Sequence, residues 1–133
     1  MLRKVAGLLV APVVLATLVL GAARAGAAGD ANAAGFVSRT NAARQAAGLR
    51  AYVVAEDLAA VARRHSARMA SQQSLYHNPR LGSEVSGWQV VGENVGTGGT
   101  VDSIHTAFMN SPAHRANILA KDYLEIGVEK GPG

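Results

Sequence analysis

Phe108-Met109-Asn110-Ser111-Pro112-Ala113-His114-Arg115-Ala116-Asn117-Ile118-Leu119 is the stretch around which the rest of the chain is organised. Ser111 suits a helix N-cap, where a hydroxyl can satisfy free amides of the first turn, and Pro112 suits the first helical position, where no N–H is needed. The pair ends one helix and opens a short second one, Pro112 to Leu119. Upstream, Val101, Ile104 and Phe108 recur at helical spacing, so the preceding helix begins near Val101. Downstream, Leu124, Ile126 and Val128 alternate with Tyr123 and Glu125, which predicts a half-buried strand over 123–128. His114 falls third in the short helix, near the positive end of its dipole, which disfavours imidazolium. A neutral imidazole there can bind a metal or act as a base.

Further out, residues 96–99 are a glycine-rich turn, and Trp88 to Val91 is a short segment leading into Gly92-Glu93-Asn94. Residues 71–87 form a polar loop that carries Tyr76-His77-Asn78-Pro79. Before it, Leu58, Val61, Ala62, His65 and Met69 share one face of a helix that starts near Glu56, with Glu56 and Asp57 at the end that favours acids. His65 lies on that apolar face and reads as a packed residue rather than a ligand. Tyr52-Val53-Val54 is a short extended stretch. Residues 32–47 read as a first helix stopped by Gly48. Asn41 and Arg44 fall on its solvent face by periodicity, with a hydrogen-bonding structural role as the alternative.

The N-terminus has a different character. Arg3 and Lys4 precede an apolar run from Val5 to Leu20, and Ala23-Arg24-Ala25 supplies a small-x-small cleavage signal. This is the layout of a secretory leader over residues 1–25, with cleavage near Ala25 and Ala27 as a second site. The alternative, an uncleaved anchor, is disfavoured because the run is short for a bilayer span. Residues 26–34 then form a flexible lead. Of the 13 basic residues, Arg3, Lys4 and Arg24 leave with the leader, so ten face nine acidic ones. With no basic stripe interleaved with aromatics, nucleic acid is not an expected partner. After cleavage no membrane span is expected, and free secretion is the default.

The chain has no cysteine, so an exported domain of this size must hold itself by packing, a ligand or a metal. There is also no Gly-x-Ser-x-Gly, and the glycine run at 96–99 is not followed by Lys-Ser/Thr, so neither a nucleophile elbow nor a phosphate loop is present. His77, Glu93 and His114 remain as chemistry-bearing residues at loops or helix starts. Two His and one Glu can supply three ligands to a divalent metal such as zinc and leave one position open. Their spacing alone is equally consistent with loop side chains that hydrogen-bond the backbone.

Taken in order, several pieces resemble the CAP superfamily, which includes cysteine-rich secretory proteins, venom antigens and plant pathogenesis-related proteins. The pieces are Asn41-x-x-Arg44 with Gly48-Leu49, Leu58-x-x-x-Ala62 with Met69, Tyr76-His77-Asn78, Gly92-Glu93-Asn94-Val95, the 108–119 stretch, and Glu125-Ile126-Gly127-Val128. The bacterial branch is the nearest in pattern. The resemblance places a CAP domain at 35–128, followed by a tail at 129–133. It implies an α+β fold, a three-layer α-β-α sandwich around a small antiparallel sheet. It also implies a surface cavity where His77, Glu93 and His114 meet, holding zinc or another divalent ion, or a small apolar ligand. The second glutamate of some relatives has no counterpart here. The last strand or two of that fold are also missing, which would leave 123–128 as an exposed edge.

Three functions follow as expectations. The first is a secreted, non-enzymatic binding module for a metal, a small apolar ligand or a cell-envelope component. The second is a metal-assisted hydrolase with Glu93 as general base. The third is a purely structural His–Glu–His cluster.

Overall fold

The computed structural model describes the backbone of residues 3–10 and 22–131 and the side chains of residues 4–7 and 31–131. In chain order the elements are β1 (Arg3–Val10), α1 (Ala22–Ala46), β2 (Val53–Val54), α2 (Glu56–Gln72), α3 (Leu81–Glu84), β3 (Trp88–Gly96), α4 (Val101–Asn110), α5 (Pro112–Ile118) and β4 (Glu125–Lys130). The four strands make one sheet in the order β2-β4-β1-β3.

The sheet corrects the antiparallel expectation, because all three strand pairings are parallel. The physical reason lies in the connections. Helices follow β1, β2 and β3, and each helical crossover returns the chain to the same end of the sheet before the next strand starts. The expected exposed edge at 123–128 is also corrected. β4 is interior, with β2 on one side and β1 on the other, and it starts at Glu125 and runs to Lys130. The edge strands are β2, with Val53 and Val54 exposed, and β3, with Trp88 and Val90 exposed.

The three layers are as expected. Val5, Ala55, Leu58, Val61 and Val85 form one core between the sheet and α2. On the other face Ala6 joins Phe36 of α1, Ile104 and Phe108 of α4, Ile118 of α5, and Ile126 and Val128 of β4. Successive residues 5 and 6 thus point into opposite layers, as they must in a strand covered on both sides. The helix predicted to open near Val101 does so with a capping box between Thr100 and Ser103. The first helix stops at Gly48 in the left-handed region (φ 70°), where Leu49 N–H reaches back to the carbonyl of Arg44 at 2.8 Å.

The N-terminal third differs most from expectation. Residues 26–34, expected as a flexible lead, are part of α1, which begins at Ala22 and runs through Ala25. Residues 3–10, expected to belong to a cleavable leader, form β1 in the middle of the sheet. The rest of the apolar run expected as a leader, residues 11–20, lies outside the described residues. Among the described residues, no helix is long and apolar enough to cross a membrane.

Candidate functional site

Two of the three predicted site residues meet. His77 sits in the loop after α2, and Glu93 in the middle of β3. His77 Nδ1 donates to Glu93 Oε2 at 2.7 Å, and the backbone N–H of Asn78 donates to the same oxygen at 2.9 Å. The two ends of the pair differ in setting: the His77 side chain is 68% exposed and that of Glu93 only 4%. Because Nδ1 is committed to the carboxylate, Nε2 is the ring nitrogen left for a ligand. Glu93 Oε1 is buried and has no hydrogen-bond partner among the described residues.

His114 is placed differently. Its Nδ1 is 2.8 Å from Ser111 Oγ, and its ring stacks on Phe108 with centroids 4.6 Å apart. Ser111 does stand at the N-cap of α5, but its hydroxyl faces this imidazole and makes no backbone cap bond. The tie to β3 runs through the neighbour of Glu93: Asn94 Nδ2 donates to the His114 carbonyl at 2.9 Å. Asn117 Nδ2 bridges the Glu93 carbonyl and Asn94 Oδ1. Adjacent strand residues point to opposite faces, so Glu93 engages the 77–78 loop while Asn94 engages α5. Among the described residues, no group of three His, Asp or Glu side chains stands close enough together to hold a metal.

A polar network that sequence reading missed supports the His77 loop from behind. Asn78 is buried; its Oδ1 accepts from Arg80 N–H at 3.0 Å, closing a turn at Pro79, and its Nδ2 donates to Glu84 Oε2 at 3.1 Å. Glu84 also takes both guanidinium nitrogens of Arg68, at 3.2 and 3.1 Å, and pairs with Arg80. His65, fully buried, donates from Nε2 to the Tyr76 carbonyl at 2.7 Å, which fixes the residue before His77. Only His65 and Asn78 carried any signal in the sequence; the Arg68–Glu84 contact joins residues on different elements and has no local signature. His105 is half-buried, edge-on to Phe36.

Burial pushes the Glu84 carboxyl up, but the hydrogen bonds from Arg68 and Asn78 and the charges of Arg68 and Arg80 outweigh it, and the net shift is downward from 4.5. A carboxyl depressed in the folded state stabilises the fold above its unfolded value, and that contribution is lost as pH falls through the folded value. Stability measured by urea unfolding should therefore decline as pH drops below 4.5. Glu84→Gln should be less stable near neutrality and should show a shallower acid decline. Identical acid slopes in the two proteins would remove Glu84 from this role.

A separate cavity of about 380 Å³ lies between α1, α2 and the end of β4. Ala33, Val37, Val54, Ala59 and Val128 make its lining mostly apolar, with the Arg63–Glu129 ion pair also at the wall. It shares no lining residue with His77, Glu93 or His114.

Comparison with known proteins gives two matches. Residues 37–131 match the profile of the cysteine-rich secretory protein family, CAP. An uncharacterised protein of Bacillus subtilis (strain 168), YkwD, is 35% identical over 101 residues, which cover 69% of this chain and 39% of that relative. The match therefore spans well under half the length of that relative. No solved structure matches.

Proposed function

This chain belongs to the cysteine-rich secretory protein (CAP) family, and from that membership we propose that it is an exported, non-enzymatic binding module whose His77–Glu93 pair takes a divalent cation, zinc first, with His114 of α5 as the third ligand it would recruit. The observation that carries the reading is the state of Glu93. A carboxylate oxygen withdrawn from water and left without a donor is costly, and a cation or a proton relieves it. Glu93 Oε1 is such an atom. His77, held by a carboxylate at Nδ1 with Nε2 outward, has the arrangement usual for metal-binding histidines. The residues that would hold the ion are His77 and Glu93, with His114 joining them only if it moves in from its place on α5, and the ion would orient a ligand at the open position.

Two features favour binding over hydrolysis. Glu93 Oε2 already accepts from His77 and Asn78, so this carboxylate acts as an orienting group rather than a free base. A small apolar ligand would have its own place in the 380 Å³ cavity, away from the imidazoles. Export rests on the leader reading of residues 1–25, and a cell-envelope component is the partner class that fits it. The structural reading has one observation of its own, the absence of a three-residue group among the described residues.

Thermal unfolding of the full chain with and without zinc separates these. A ligand at 100 times its dissociation constant adds about 2.7 kcal/mol, which in a domain of this size moves the midpoint by on the order of 10 °C. That shift is expected in the unmodified chain and should vanish in His77→Ala. Glu93→Gln, which keeps the shape and loses the charge, should reduce it. A midpoint indifferent to zinc would leave the structural reading in its place.

A further inference from the structure

β1 is central by position and removable by sequence. It lies parallel to both neighbours, with Val5–Val10 registered on Glu125–Lys130 and Arg3–Val10 registered on Trp88–Gly96. Among the described residues β3 pairs with no other strand, and β4 otherwise pairs only with the two residues of β2. Withdrawal of β1 would therefore strip main-chain hydrogen bonds from two strands at once, across a gap one strand wide. Buried backbone groups are not left in that state. Yet residues 3–10 head the stretch that reads as a cleavable leader.

The fit of β1 also leaves room. Val5 is fully buried among Ala55, Leu58, Val61 and Val85. Beside Ala6 and Gly7, however, a void of about 10 Å³ remains toward α1 and α5, and a second of the same size lies beside Gly7 toward α2. Thr40 lines the first void, and its buried Oγ1 has no hydrogen-bond partner among the described residues. At Gly7 the space is tighter, since a Cβ there would stand 3.3 Å from the Gly92 carbonyl oxygen.

We propose that the gap between β3 and β4 is a strand-acceptor site, filled here by the chain's own residues 3–10 and open to an extended apolar peptide in the same parallel register when they leave. Main-chain hydrogen bonds to β3 and β4 give affinity, and alternate side chains give selectivity. The Val5 position takes a branched aliphatic. The Ala6 position takes something larger, best a threonine, whose methyl fills the void and whose hydroxyl reaches toward Thr40. The Gly7 position takes glycine. The inference rests on the sheet and is independent of the His77–Glu93 reading.

The test uses the full chain with a protease site inserted between residues 11 and 21. The chain is cut with both parts retained and challenged with a fluorescent peptide spanning residues 2–11. The expected result is exchange to one peptide per chain, with amide protection at 90–96 and 125–130 preserved. A peptide with Ala6→Thr should bind about fivefold tighter, from one buried methyl and one hydrogen bond. A peptide with Gly7→Pro should fail, because it lacks a ladder donor. Protection that persists after the N-terminal fragment is washed out, with no peptide added, would overturn the proposal. So would a stripped chain that unfolds and is not restored by the peptide. A dimer that excludes the peptide would make a second copy the occupant and overturn it as stated.

Discussion

Gly127→Ala should unfold this protein or bring it close to unfolding. Gly127 lies in β4 between Ile126 and Val128, whose side chains enter the core with α1, α4 and α5. Its own missing side chain points the other way, toward α2. A Cβ built there would lie far inside van der Waals contact with the backbone nitrogen of Ala59 and the backbone carbon of Leu58. Backbone cannot rotate aside as a side chain can, so the first turn of α2 must lift off the sheet. Overpacking typically costs 1–3 kcal/mol, and a clash with rigid backbone belongs at or above the top of that range, roughly 3 kcal/mol or more. In a domain of this size the midpoint should fall by on the order of 15 °C. Two comparisons make the test specific. A Cβ at Gly99 would meet nothing within 4 Å among the described residues beyond its chain neighbours, so Gly99→Ala should leave the melt almost unchanged. At Gly96 the three atoms nearest a Cβ all belong to the ring of Phe108, the first at 2.6 Å, so Gly96→Ala should be relieved by Phe108→Leu, whereas no side-chain truncation at Leu58 should relieve Gly127→Ala. A Gly127→Ala protein that melts with its parent would show that α2 does not approach β4 this closely.

The same contact shows which parts of the fold could be read in advance. α2, α4 and α5 were legible because their signals are local: apolar spacing, an acidic first turn, a Ser-Pro junction. The sense of the sheet was not, because it depends on which distant segments pair. β1 was the hardest case. Eight residues led by two cations and rich in small and aliphatic side chains satisfy a leader and a buried strand equally, and periodicity cannot separate a continuous apolar run from either. At the site, spacing alone gave no reason to join His77 to Glu93; the motifs of the family resemblance did, and the two residues hydrogen-bond at 2.7 Å. What the motifs could not convey was the support behind them. Glu84 meets Arg68 and Asn78 only once α2, the 77–80 turn and α3 are folded together.

Arg44→Met should be as damaging in a different way, because of the two sequence readings of Arg44 the structure bears out the hydrogen-bonding role and not the solvent face. Arg44 falls on the expected solvent face of α1, yet it is 2% exposed. Its Nη1 donates to the carbonyls of Ile118 and Ala120, both at 2.8 Å, and its Nε to the carbonyl of Arg50 at 2.8 Å. The guanidinium carbon lies 3.5 Å from the centroid of the Tyr52 ring. Tyr52 is in turn fixed at both backbone polar groups by Asn41 and donates its hydroxyl to the Asn117 carbonyl. Periodicity failed here because it assumes that a polar side chain seeks water. The last carbonyls of α5 offer what water would, and they carry the negative end of that helix's dipole. Burial pushes the Arg44 pKa down, with Tyr52 pulling the other way, but an arginine remains charged, so the fold must keep these acceptors around it. Methionine fills much of the volume and donates nothing, leaving carbonyls such as that of Ile118 buried without a partner. The expected cost is about 3–5 kcal/mol. Lysine keeps the charge but not the planar fork, so Arg44→Lys should fall between the two. Urea unfolding measures the loss, and amide exchange locates it: protection should drop first across 112–119, the segment that carries His114 and Asn117. A loss within 0.5 kcal/mol would return Arg44 to the surface. A large loss that spares 112–119 would detach this clamp from α5, and with it the idea that α1 holds the His114 side of the site in place.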